Sequence, residues 1–203
     1  MSFRPDEILR ILEDHGVRYV VIGGLAAALY GSGTVTFDVD IVPDSAPENL
    51  TRLSAALDEL GARIRVEGIE GGLPFDHDAR SLGSMEVMNL VTNHGDFDVT
   101  FHPSGVSSFS EWDERAEEAE ALGVHFRLAS LADVIRSKEA AGRPKDQIAV
   151  PILRELLRRQ QKNKKVRRDW RPRQSWDIGP IRRLVPHVSW TYTLDWRVTD
   201  RTR

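Results

Sequence analysis

Cysteine is absent from the 203 residues. That rules out a disulfide framework and any thiolate metal site, and it fits a cytoplasmic protein. No stretch approaches the length of a membrane span, and Met1-Ser2-Phe3-Arg4-Pro5-Asp6-Glu7 carries no apolar signal region, so no membrane partner is expected. Neither a P-loop lysine motif nor a G-x-S-x-G elbow occurs. His15, His94, His102 and His125 are dispersed without the spacing of a zinc site. Asp76-His77-Asp78 lies in a glycine-rich stretch, where solvated surface is the plainer reading. There is no internal repeat.

Hydrophobic residues make up 40% of the chain, enough for one sizeable core plus an appendage. The net charge of −3 hides an asymmetry. Residues 158–203 hold 14 Arg and Lys against 4 Asp, whereas residues 1–157 hold 14 Arg and Lys against 27 Asp and Glu. The composition therefore divides the chain into an acidic domain, 1–157, and a basic appendage, 158–203, with four of the five tryptophans in the latter. Arginine and lysine interleaved with aromatics can hold single-stranded RNA; a plain basic tail has the same composition.

The most informative run is Val35-Thr36-Phe37-Asp38-Val39-Asp40-Ile41-Val42. Side chains alternate along a strand, so Thr36, Asp38, Asp40 and Val42 share one face and Val35, Phe37, Val39 and Ile41 the other. The second set reads as core. The first places two like charges side by side, which is unfavourable unless a cation lies between them or one takes a proton. All-oxygen ligands suit a hard ion, Mg²⁺ or Mn²⁺, although a solvated strand edge would carry the same residues. Upstream, the β-prone run Arg18 to Ile22 ends at Gly23-Gly24, and Leu25 to Tyr30 forms a short helix that stops near Gly31. A glycine pair there lets backbone N–H groups approach a phosphate closely.

The sequence Val21-Ile22-Gly23-Gly24-Leu25-Ala26, followed by Gly31 and Thr36-Phe37-Asp38-Val39-Asp40, resembles the nucleotidyltransferase superfamily typified by DNA polymerase β. More narrowly, it is similar to the small bacterial members found among abortive-infection and toxin–antitoxin proteins. The resemblance implies that the glycine turn cradles a triphosphate and that D-x-D plus a third carboxylate hold two metal ions. Asp98, in Asp96-Phe97-Asp98-Val99-Thr100-Phe101, matches the third position, and Asp96 reads as part of the turn after Gly95. Leu131 to Lys138 and Ala141 to Asp146 match the helical segment that follows the sheet in these enzymes. Ser130 with Asp133 has capping-box form, Gly142 suits a helix C′ position, and Pro144 suits a first helical turn. The departures are Gly-Gly in place of Gly-Ser and no basic residue in Ser32-Gly33-Thr34-Val35.

The resemblance thus implies a mixed α/β (α+β) fold, a small mixed β-sheet packed with helices, closed by C-terminal helices and a basic tail. It implies transfer of a nucleoside monophosphate from an NTP such as ATP to an acceptor hydroxyl. Asp38, Asp40 and Asp98 become the catalytic and metal-holding residues, with Gly23, Gly24, Thr36 and Lys138 at the nucleotide. The acceptor is expected to be RNA, such as a tRNA 3′ end, or a protein, and a toxin-like role would bring an antitoxin partner. A nucleotide- or partner-binding module without turnover is the alternative, and a simple RNA-binding protein a third reading. Elsewhere the pattern predicts helices over Pro5–Asp14, Ala46–Leu60 (Leu50, Leu53, Leu57 and Leu60 on one face), Phe109–Leu122 and Ile148 to about Leu157. Further strands are expected at about 62–66, 86–92, 97–101 and 124–128, with a long loop over 67–84.

Overall fold

The computed structural model describes residues 3–105, 108–121 and 123–169. In chain order the elements are α1 (Pro5–Asp14), β1 (Tyr19–Val21), α2 (Gly23–Leu29), β2 (Asp38–Pro43), α3 (Pro47–Leu60), β3 (Arg63–Val66), β4 (Ile69–Leu73), α4 (Ala79–Leu82), β5 (Val87–Thr92), β6 (Gly95–Thr100), α5 (Phe109–Arg115), β7 (Glu117–Ala121), β8 (Val124–Leu128), α6 (Leu131–Ala141) and α7 (Pro144–Asp169). The eight strands form one mixed sheet in the order β4-β3-β5-β6-β2-β1-β8-β7. β2 pairs with β6, and β1 with β8, in parallel; the other neighbours are antiparallel. The mixed α/β expectation holds.

The apolar faces close the core as their spacing requires. Ile8, Leu9 and Leu12 of α1 and Leu50, Leu53, Leu57 and Leu60 of α3 are fully or almost fully buried, alongside Val39 and Ile41 of β2 and Phe97 and Val99 of β6. α1 packs on α3 and β8, while α2 packs on β2 and α6. Capping follows the sequence. Ser130 accepts from the Asp133 N–H, Gly142 ends α6 at a φ of 61°, and Pro144 opens α7.

Four expectations change. Val35 and Phe37 are 66% and 68% exposed rather than core, because β2 starts only at Asp38. The parallel partner β6 begins at Gly95 and pairs Asp96 with Asp38, so residues before Asp38 overhang the sheet. The stretch 67–84 is not a bare loop: Val66 and Ile69 pair across a tight turn with Gly68 at φ 79°, and Asp78 caps α4. The acidic run ends its helix at Arg115, and Glu117–Ala121 instead pairs antiparallel with β8. Ladder hydrogen bonds and the Arg127–Glu118 ion pair there outweigh a helix-favouring composition. Finally, α7 continues past Leu157 to Asp169, so the first part of the basic segment is helical. Residues 170–203, to which the sequence assigns most of the aromatics of the RNA-contact reading, lie outside the described residues.

Candidate active site

The site is assembled by one register. β2 and β6 run in parallel with Asp38 opposite Asp96 and Asp40 opposite Asp98. Side chains two apart share a face, so these acids converge on one side of the sheet. Asp38, Asp40 and Asp98 each offer a carboxylate oxygen, and the three oxygens lie within 4.8 Å of one another. The sequence-predicted triad is therefore brought together. Its donors are all hard oxygens, with no nitrogen or sulfur, which is a set that fits Mg²⁺ or Mn²⁺.

The glycine turn is fitted against the same acids. Gly23 has a φ of 64°, and a Cβ on it would lie 2.0 Å from Asp40 Oδ2. A Cβ on Gly24 would lie 2.3 Å from Thr36 Oγ1, and the Gly24 N–H donates to Asp40 Oδ2 at 3.2 Å. Gly23 is held to glycine by its positive φ and by Asp40, whereas a serine at 24 would require the Thr36 side chain to shift. Thr36 donates from Oγ1 to Asp38 Oδ1 at 2.5 Å. Gly23, Gly24 and Thr36 thus adjoin Asp38 and Asp40. Lys138 does not join this set of contacts: its Nζ pairs with Asp146 Oδ1 at 2.8 Å, tying α6 to the start of α7.

A residue that sequence reasoning missed completes the site. Arg65 of β3 reaches across β5 to β6, donating from Nη1 to Asp96 Oδ2 at 2.5 Å and from Nη2 to Asp98 Oδ1 and Oδ2 at 2.8 and 3.1 Å. The alternation Arg63-Ile64-Arg65-Val66 is the only sequence signal, and it gives no hint of the partner strand. Asp96, read as a turn residue, is likewise a member of β6. Burial pushes the Asp98 carboxyl up to about 6; Arg65 opposes this, while Asp40 and Asp38 add to it. Burial wins because one guanidinium shared between two carboxylates cannot offset both desolvation and two like charges.

A cleft of about 540 Å³ lies near the start of β1, lined by Glu13, Arg18, Tyr19, Phe109, Asp113 and Arg127 among others. It shares no residue with the acid cluster, and its arginines are engaged by Asp44, Asp113 and Glu118. Size alone does not make it the chemical centre.

Mixed sheet, glycine turn and three converging carboxylates define the nucleotidyltransferase class. Residues 5–167 match the family described as nucleotidyltransferase of unknown function (DUF6036), and the chain belongs to that family. Among solved structures, it is similar to the lincosamide antibiotic adenylyltransferase LnuA in its lincomycin-bound form, with 15% identity over 77% of this chain and 99% of that one, at a TM-score of 0.51. This likeness bears on the fold. Two others are a Thermotoga maritima protein described as a nucleotidyltransferase (16% identity, 82% and 94% covered, TM-score 0.47) and ANT(2")-Ia in complex with adenylyl-2"-tobramycin (17% identity, 74% and 85% covered, TM-score 0.47). No match was found among proteins of curated function.

Proposed function

We propose that this nucleotidyltransferase moves a nucleoside monophosphate from an NTP to an acceptor hydroxyl, with Asp38, Asp40 and Asp98 holding Mg²⁺ or Mn²⁺. The observation that carries the reading is the meeting of three carboxylate oxygens within 4.8 Å across β2 and β6. A chain without turnover gains nothing from keeping such repulsion, which also favours this over the binding-module reading. When bound, the ions neutralise the triphosphate and lower the pKa of the acceptor hydroxyl.

The chain's own residues supply the rest. Backbone N–H groups of the Gly23-Gly24 turn are the candidates to bind the triphosphate, the Gly24 N–H being held on Asp40 in the unloaded site, and Thr36 fixes the Asp38 carboxylate through its hydroxyl. Asp98 is the carboxylate proposed to accept the hydroxyl proton. The acceptor oxygen bonds to the α-phosphorus, the bond from that phosphorus to the α–β bridging oxygen breaks, and pyrophosphate leaves. Catalysis rests on positioning and charge neutralisation. Lys138 would meet a phosphate only by leaving Asp146, so its contribution belongs to the loaded state.

The acceptor is RNA, such as a tRNA 3′ end, or a protein hydroxyl; LnuA, bound to lincomycin, adds a small-molecule hydroxyl to the choice. The test uses α-labelled NTPs, Mg²⁺ and cell extract. Label should enter one acceptor fraction with matching pyrophosphate release, and Asp98→Asn should lose at least about 100-fold in rate. Wild-type release no greater than that of Asp98→Asn would reject the reading. The toxin-like role, with a separate antitoxin, predicts that expression arrests bacterial growth and that Asp38→Ala does not. Equal growth at matched soluble expression would discard it.

A further inference from the structure

Arg65 occupies the one carboxylate of the triad that comes from β6. Its Nη2 lies 2.8 and 3.1 Å from the two oxygens of Asp98, and Nη1 holds Asp96 at 2.5 Å. A cation entering between Asp38, Asp40 and Asp98 needs an Asp98 oxygen already committed to another cation. Like charges a few ångströms apart repel strongly in a half-buried site. Arg65 and a metal on Asp98 therefore compete. The arginine is not expelled by that competition, because Asp96, 41% exposed at its side chain, remains as an anchor. A guanidinium has five N–H donors, and the bonds to Asp96 and Asp98 leave some unused. Strand order sets the direction: β3 and β5 lie on the side of β6 away from β2, β1 and the glycine turn. A guanidinium released from Asp98 but still held by Asp96 thus stays on the β3–β5 side of the triad, across from the Gly23-Gly24 turn, and that is the side left to the acceptor if the turn holds the triphosphate.

We propose that Arg65 is an exchangeable counterion of the third carboxylate: it closes Asp98 in the metal-free protein and, once a metal takes Asp98, offers its guanidinium, still anchored on Asp96, to an anionic group of the acceptor. This rests on the metal-holding role of the triad in the proposed function. It gives the acceptor side a preference for a phosphate- or carboxylate-bearing substrate over a polycationic one. By linkage, metal and anion then favour each other's binding.

The test is Mn²⁺ affinity of the full chain, read from the EPR signal of free Mn²⁺. Arg65→Gln should bind Mn²⁺ on the order of tenfold more tightly than wild type, and Asp96→Asn more weakly, because Arg65 then rests on Asp98 alone. Arg65→Lys keeps the charge and should stay near wild type. Arg63→Gln, whose parent side chain donates to the Gly72 carbonyl instead, should match wild type. Replacing chloride by sulfate at equal ionic strength and matched free Mn²⁺ should tighten Mn²⁺ binding to wild type by about threefold and leave Arg65→Gln unmoved. Unchanged or weaker Mn²⁺ binding by Arg65→Gln would overturn the counterion, since a merely structural arginine predicts that result. A sulfate effect equal in both proteins would overturn the anion contact. Mn²⁺ binding by Asp40→Asn equal to wild type would instead reject the metal site itself, a failure these arms distinguish.

Discussion

Asp98 shows how one side chain carries opposing demands. It faces a guanidinium, which favours its charge, yet its carboxyl is pushed up to about 6 from an ordinary 3.8 because burial and two neighbouring aspartates outweigh that favour. A carboxyl whose pKa is higher folded than unfolded costs stability wherever it is ionised. The cost is complete above pH 6 and absent below about 4. Asp98→Asn should therefore be more stable than wild type at pH 7.5, by no more than about 3 kcal/mol. The gap should close as the pH falls from 6 to 4. Urea unfolding of both proteins across that range checks it, and a gap constant with pH would contradict the burial argument. The neighbouring overhang behaves differently. Phe37 and Val35 follow the same alternation as Val39 and Ile41, but alternation specifies a face and not whether a partner strand extends far enough to cover it.

At the scale of elements, α5 and α6 are joined through two acids, Asp133 and Glu111, of which Glu111 reaches Arg136 at 3.2 Å. Asp133 is fully buried, accepts from Arg115 Nε at 2.8 Å, pairs with Arg136 Nη2 at 2.7 Å, and takes a 2.7 Å bond from the Ser130 hydroxyl. Removing its charge leaves a buried amide facing two arginines that keep only Glu111 as a shared acid, at 2.9 and 3.2 Å. Asp133→Asn should cost about 3 kcal/mol, less than a deeply buried pair because both arginines are partly exposed. The urea midpoint should fall with the slope unchanged; a loss below about 0.5 kcal/mol would mean that the caps and apolar face hold α6 unaided. Helices were legible because their signals are local: Pro5, Ser130, Gly142 and Pro144 announce ends, and leucines at helical spacing announce a buried face. Strands β4 and β7 were not. Glycines in Ile69–Leu73 and glutamates in Glu117–Ala121 argue against a strand, and only pairing to β3 and β8 overrides them. Arg65 was hidden for the same reason, since its partners depend on strand order.

The whole molecule separates charge along its length. The balance of +10 over residues 158–203 is carried largely by 158–169, where seven Arg and Lys stand against one Asp. The first 157 residues total −13. The triad was legible because D-x-D on an apolar strand is a local anomaly and Asp98 lies in a run of matching pattern. That the three acids act together is a property of the parallel β2–β6 pairing. The most direct test is a thermal-melt series with NTP in Mg²⁺ and in EDTA. NTP at about 100 times its dissociation constant should stabilise by about 2.7 kcal/mol, a rise of roughly 5–10 °C, in Mg²⁺ alone. Asp40→Asn should abolish the rise while leaving the nucleotide-free melting temperature unchanged or slightly higher, as repulsion is relieved. An equal rise in EDTA, or a rise retained by Asp40→Asn, would contradict a metal-dependent nucleotide site built on these carboxylates.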